Sequence, residues 1–421
     1  MKENLGSHRI VINVCDSEEA RFFVRFLNAG KHSGYGFTFL TYRYHVYTYL
    51  KEITKTKADV YYLNTSFIRK DSKEAYNNKA LNTDLECLTG DISIQGAEKL
   101  YASTIGLLGF LASHNDIEYI WCWNGYKIVD HALTDFAQEH HIKTLYFEIA
   151  NINGKLFVDP MGTNCRSYLY GHVNILNEFS PDLRNYEKWR KSYIIDKFKQ
   201  MTVKQAKKRN LSGAAHNYME DIRGYFTKGG VVLRKFPLNS LKRRFNKIHY
   251  DFRDIDFSNL DYIFFPLQVS TDTQVLINGN VGIMEAARIV LSYAQQNHFY
   301  LIIKPHPAEK NPLYFQKLQN ALKSYDKVLF TNENTFELIK YAKRVFTINS
   351  TVGLETMILG QKVHVFGKAL YENFKQDDLP KYIMGYLFDI DYWGEADVDD
   401  KLFKRVLDRA DISTFDKSSQ T

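Results

Sequence analysis

A chain of 421 residues, 45% hydrophobic and 24% charged with a formal net charge of +7, is too long for one ordinary core and predicts two domains of about 150–200 residues each, while its composition excludes a disordered or fibrous protein. No apolar run reaches the roughly 18 residues of a membrane span; the best, Ile105–Ala112, is about half that length. Met1–His8 is polar and lacks a secretory leader pattern, and Cys15, Cys87, Cys122 and Cys165 lack metal or redox spacing, so the expectation is a soluble, cytoplasmic protein with reduced thiols.

Arg9–Cys15 reads as a buried strand, and Ser17 with Glu18 and Glu19 as the cap and acidic first turn of a helix running to about Asn28 and stopped by Gly30. Strand-like Ala58–Leu63, Ile117–Trp123 and Thr144–Phe147 are separated by helical patterns near Ala97–Ala112 and Lys127–Glu139. That alternation predicts a parallel sheet with helices on its faces, a Rossmann-like domain over 1–180. The aromatic share of 15% fills two cores and would also suit stacking on sugars or bases.

The order dissolves in 181–258, which reads as a basic, mostly helical insertion. Leu183–Lys247 holds 18 Lys/Arg against four Asp/Glu, so the rest of the chain is net acidic. Lys204, Lys207, Lys208, Arg209, Arg234, Lys235, Lys242, Arg243, Arg244 and Lys247 are interleaved with Tyr193, Phe198, Tyr225, Phe236 and Phe245. Such a stretch suits an anionic membrane surface or an anionic lipid-linked acceptor, and equally a solvated helical face. No nucleic-acid motif accompanies it, so nucleic acid is not expected as a partner.

From Asp261 the alternation returns. Strands Tyr262–Pro266, Tyr300–Ile303, Lys327–Phe330, Arg344–Ile348 and Lys362–Phe366 are separated by helices Val281–Gln296, Pro312–Lys323, Thr335–Ala342 and Val352–Leu359. This predicts a second doubly wound domain over 259–375, followed by C-terminal helices and a tail over 376–421 that pack back on the first domain.

Ligands of open α/β sheets bind beyond the carboxyl ends of the strands, so the residues just past each strand of the second domain are the candidates. Lys304-Pro-His306-Pro307 is a proline-fixed loop whose histidine suits a phosphate or a leaving-group oxygen; a satisfied structural histidine is the competing reading. Asn349-Ser350-Thr351 leads into a helix and suits an anion held by backbone N–H groups, or a plain N-cap. Glu355, one turn further, suits a ribose hydroxyl or merely the helix dipole. Gln268 and Asp272 pair an amide with a carboxylate four residues on, although Asp272 would also cap a turn. In the first domain, Glu148 ends a strand and is followed by Asn151, Lys155, Asp159 and the turn Gly162-Thr163-Asn164, with Glu148 either an acid/base or a loop carboxylate and Asn151, Lys155 and Asn164 candidates for the acceptor side.

Phe264–Gln274 (FFPLQVSTDTQ), the Lys304–Pro307 loop and Thr347–Tyr371 closely resemble the bacterial capsular-polysaccharide β-Kdo transferases, Kdo being 3-deoxy-D-manno-oct-2-ulosonic acid. Trp121–Asn164 resembles them more weakly, and residues 1–115 and 170–255 carry no motif of the family. After Glu148 the family runs Gly-Tyr-Leu-Arg-Pro-like, whereas this chain has Ile149-Ala-Asn151-Ile-Asn153-Gly154-Lys155. The resemblance implies a GT-B-like α/β fold, two Rossmann-like domains facing a central cleft. It implies a retaining enzyme that uses CMP-β-Kdo as donor substrate, with no cofactor or metal, and a lipid-linked or oligosaccharide acceptor at the inner face of the cytoplasmic membrane. It implies Asp272 as nucleophile, Glu148 as acid/base, His306 on the donor phosphate, and Asn349, Ser350 and Thr351 around the nucleotide, to which the strand-end reading adds Gln268, Lys304 and Glu355 as donor-binding candidates. A sialyltransferase or CDP-glycerol glycerophosphotransferase shares the His-Pro loop and hydroxyl-rich helix start, and a non-catalytic scaffold for glycan assembly is the reading from a different class.

Overall fold

In the first unit, β1 (His8–Asn13), β2 (Tyr35–Thr41), β3 (Asp59–Tyr62), β4 (Asp116–Trp123), β5 (Lys143–Ile149) and β6 (Leu156–Asp159) form one sheet in the order β3-β2-β1-β4-β5-β6. The first five strands are parallel and β6 is antiparallel to β5. The computed structural model describes residues 8–68, 84–199, 211–235, 256–269, 277–309 and 311–412. Among them, 8–169, 211–235 and 387–412 belong to this unit and 170–199 and 256–386 to a second. The insertion expected over 181–258 is thus shared: its helix Leu183–Lys199 joins the second unit and its helix Leu211–Thr227 the first. The C-terminal segment divides likewise, with 387–412 joining the first unit. No helix among the described residues is long and apolar enough to cross a membrane.

Two features of the first unit differ from the sequence expectation. The helix predicted over 17–28 is two short helices, Ser17–Val24 and Leu27–His32, and Gly30 lies inside the second rather than stopping the first. Its role is steric: a Cβ on Gly30 would lie 2.2 Å from the Phe37 ring of β2. Strand β2 and the helix Tyr44–Thr54 after it were not expected, although Phe37 and Phe39 of β2 are fully buried. Their place in the order is what puts β1 at the middle of the sheet. One face of the sheet is covered by an aromatic cluster of Phe22, Phe23, Phe26, Trp121, Trp123 and Phe147, joined by Phe388, Tyr392 and Phe403 from the C-terminal segment. Burying such side chains contributes roughly 1.5–3 kcal/mol each.

The second unit follows the sequence closely. Strands β7 (Tyr262–Pro266), β8 (Tyr300–Lys304), β9 (Val328–Phe330), β10 (Arg344–Thr347) and β11 (Val363–Val365) form an all-parallel sheet in the order β11-β10-β7-β8-β9. Three of its helices start on side-chain caps: Asn311 ahead of Pro312, Asn334 ahead of Thr335, Ser350 ahead of Thr351. The mostly buried strands β7 and β8 explain why these segments read as continuous apolar runs. Both units are therefore doubly wound α/β domains of Rossmann type.

Candidate functional site

Each sheet has a point at which the chain reverses its direction of winding, and there the loops leaving two adjacent strands part to form a crevice. In the second unit the chain winds outward from β7 to β8 and β9, then returns to β10 and β11, so the reversal lies between β7 and β10. Two amide residues from the predicted set sit just past those strands and bind each other. Gln268 Nε2 donates to Asn349 Oδ1 at 2.9 Å, and the Asn349 backbone N–H donates to Gln268 Oε1 at 3.2 Å. Gln268 is buried, so the pair fixes both loops at the carboxyl edge of the sheet.

Ser350 follows directly. Its Oγ accepts the Val352 N–H at 3.3 Å, its own N–H donates to Thr347 Oγ1 at 3.2 Å, and its carbonyl accepts the Tyr371 hydroxyl. The same tyrosine explains Gly353, where a Cβ would stand 2.2 Å from the Tyr371 oxygen. Thr351 is exposed at the helix start. On the other side of β7, the loop after β8 carries His306, whose Nδ1 accepts the Ala308 N–H at 3.1 Å. The neutral ring therefore carries its proton on Nε2, which makes that nitrogen a donor. Gln268, Asn349, Ser350 and His306 are thus on loops from three contiguous strands, β10, β7 and β8, at one edge of one sheet.

Other predicted residues are engaged elsewhere. The Lys304 ammonium donates to the Glu333 carbonyl at 2.7 Å and Thr335 Oγ1 at 3.0 Å, bracing the loop after β9, and burial lowers its pKa. Glu355, read as a ribose ligand, is turned to the helix Leu183–Lys199: it pairs with Lys197 at 2.6 Å and accepts from Tyr193 at 3.3 Å. Burial, and then the Glu355 charge, push the Tyr193 phenol far above its ordinary range. Arg190 of the same helix donates to the Ile358 carbonyl at 2.6 Å, so this helix is clamped to the one that begins at Thr351. Asp272, the predicted nucleophile, lies outside the described residues, as do Lys204, Lys207, Lys208, Arg209, Lys242, Arg243, Arg244 and Lys247.

In the first unit, Glu148 and Asn164 come together. Glu148 lies on β5, and its Oε2 accepts the Asn164 side-chain N–H at 2.9 Å. Asn164 holds φ +54°, a left-handed conformation that asparagine tolerates. Its loop is fixed by Asp159, whose buried carboxylate accepts the backbone N–H groups of Met161, Gly162, Tyr168 and Leu169 at 2.8–3.3 Å. Asn151 is half-buried in the turn after β5. Lys155, expected on the acceptor side, is buried and pairs with Asp389 of the C-terminal segment at 2.5 Å.

The reversal of the first sheet lies between β1 and β4, and there the sequence reading missed a buried polar cluster. Asn13 Nδ2 donates to Asp130 Oδ1 at 2.7 Å, Lys127 pairs with Glu19 at 2.5 Å, and the Cys15 N–H donates to Glu19 Oε2 at 2.7 Å. Glu86 accepts the Ile128 N–H at 3.2 Å, at the start of the helix Ile128–Glu139. Asp130 Oδ2 is sealed from solvent without a partner, and burial pushes the Asp130 carboxyl up to about 7. Burial likewise raises Glu19 and Glu86. Polar residues set into the apolar run Ile10–Cys15 and the helix start at Lys127 were the signal available.

A family model described as "Capsule polysaccharide biosynthesis protein" matches residues 119–374. Among curated proteins, the chain is similar to Protein FixF of Sinorhizobium fredii (35% identity over 114 residues, 26% of this chain and 27% of that protein). It is also similar to the capsule polysaccharide export protein KpsS of Escherichia coli (30% identity over 115 residues, 25% of this chain and 30% of that protein). The matches therefore span under a third of either relative. Among solved structures, a KpsC β-Kdo 2,7 transferase of Thermosulfurimonas dismutans aligns over 96% of this chain and 99% of its own, with 11% identity and a TM-score of 0.40.

Proposed function

Since the chain belongs to the capsule polysaccharide biosynthesis protein family, we propose that it is a glycosyltransferase of that process, moving Kdo from CMP-β-Kdo to a lipid-linked or oligosaccharide acceptor with retention of configuration. The observation that carries the reading is the Gln268–Asn349 pair at the reversal point of the second sheet, beside the Ser350 cap. It makes a crevice edged by amides and hydroxyls, without a carboxylate among Gln268, Asn349, Ser350 and Thr351, which suits the phosphate of a cytidine nucleotide. His306, with Nε2 as its donor nitrogen, suits the departing phosphate oxygen.

In the proposed reaction the Asp272 carboxylate attacks C2 of Kdo and the C2–O bond to CMP breaks, the electron pair leaving with the phosphate. An acceptor hydroxyl then displaces Asp272, its proton passing to a base for which Glu148 is the candidate. The donor is bound without a metal, and the enzyme works at the cytoplasmic face of the membrane.

The test is direct. Purified full-length protein given CMP-Kdo and synthetic Kdo-bearing glycosides releases CMP and forms a β-linked product, and Asp272→Ala abolishes both while melting like the wild type. A thermal-shift panel of CMP-Kdo, CMP-sialic acid and CDP-glycerol ranks CMP-Kdo first; a preference for either of the others reassigns the donor.

A further inference from the structure

Beyond the cluster at β1 and β4, the carboxyl edge of the first sheet holds a second buried arrangement. The helix Leu211–Thr227 approaches the helix Tyr44–Thr54 so closely that a Cβ on Gly224 would stand 2.1 Å from the Tyr44 ring. Asp221, one turn earlier on the same face, is carried onto the residues that follow β2. Its Oδ1 accepts His45 Nδ1–H at 2.8 Å and the His45 backbone N–H at 3.1 Å, and its Oδ2 accepts Arg43 Nε–H at 2.7 Å. The His45 and Asp221 side chains are 9% and 7% exposed. The carboxylate fixes both ring orientation and tautomer, so in the neutral imidazole Nε2 presents a lone pair. That nitrogen has no hydrogen-bond partner among the described residues.

The chemistry of its surroundings selects the ligand. At the neighbouring strand ends, backbone N–H groups that would otherwise hold a phosphate already face carboxylates: Asp16 accepts from Glu18 and Glu19, Glu19 from Cys15, and Glu86 from Ile128. Cations also stand here, Arg43 on Asp221, Arg234 on Asp91 and Arg223 over the Tyr44 ring, so charge does not exclude an acidic sugar from this edge. A group with an O–H to give is what an oriented, unpartnered acceptor nitrogen asks for.

We propose that His45, held by Asp221, is a hydroxyl-binding residue for the carbohydrate acceptor on the first unit. This rests on the glycosyltransferase reading above, but its test separates the two. In full-length protein, His45→Ala raises the acceptor KM about threefold to tenfold, the weight of one neutral hydrogen bond, and leaves the donor KM and acceptor-independent CMP release unchanged. His45→Gln, whose amide oxygen reaches about as far as Nε2, recovers part of the loss and serves where the alanine variant does not fold. An unchanged acceptor KM in a folded variant overturns the inference and leaves the donor reading intact. Absence of CMP-Kdo turnover by the wild type sinks the donor reading alone, because binding is read separately: with 15N-labelled histidine, the His45 Nε2 resonance moves on adding a synthetic Kdo glycoside and not on adding CMP. A resonance that stays still with the glycoside, or that answers to CMP, overturns the assignment.

Discussion

The two sheets wind by the same rule and reverse at equivalent places, yet their reversal points carry opposite chemistry. In the second unit, neutral amides and a serine cap edge the crevice. In the first, Glu19, Glu86 and Asp130 crowd around one lysine, and carboxylates take up the N–H groups at the flanking helix starts. The lesson is that one fold sets a reversal point in each unit, and local side chains decide its chemistry. Among the described residues, one is edged by neutral amides and the other is filled by buried charge.

Substitutions break or sharpen this contrast in graded ways. The largest effect is complete loss of transfer in Asp272→Ala, measured as CMP release, with EDTA leaving the wild-type rate unchanged. Next, Lys127→Ala leaves the buried Glu19 without its lysine partner and should cost about 3–5 kcal/mol in denaturant unfolding. Gln268→Ala should cost about 1–3 kcal/mol, since it strands the Asn349 N–H, and should weaken CMP-Kdo binding as well, which Lys127→Ala should not do. Equal effects of the two on donor binding would erase the distinction.

The first unit carries a pH response of its own at Asp130. Asp130 is lifted from its ordinary 3.8 to about 7 by burial, so between those values the native chain holds a proton that the unfolded chain has released. This contribution is complete below about pH 4 and is lost as pH rises through about 7. Asp130→Asn should flatten the stability curve over that window without altering donor affinity. Smallest is Ser350→Ala, which removes a helix cap at a cost of about 1 kcal/mol and raises the donor KM.

The second unit was legible in the sequence because its central strands are buried apolar runs punctuated by caps, and each cap stood where a helix begins. The first was less so. Strand β2 contains Gly36 and two threonines, which blur its apolar pattern, and Gly30 reads as a stop when its reason is contact with Phe37. Side-chain roles were harder still. Glu355 and Lys155 each found an ion-pair partner more than 150 residues away in sequence, and Asp221 met Arg43 and His45 across a similar gap. Local pattern carries no trace of such pairings. Gln268 and Asn349 were found because both follow strands, and it was the strand order that made them neighbours.

Asp159 gathers four backbone N–H groups from the ten residues that follow it. The path of that loop is therefore written in main-chain donors and a single anion, and the exposed side chain of Met161 can be exchanged without redrawing it. Asn164, and through it Glu148, inherits its position from this arrangement. A protein built this way can retune what its loop presents to a partner molecule while keeping the loop's course, so long as that one carboxylate stays in place.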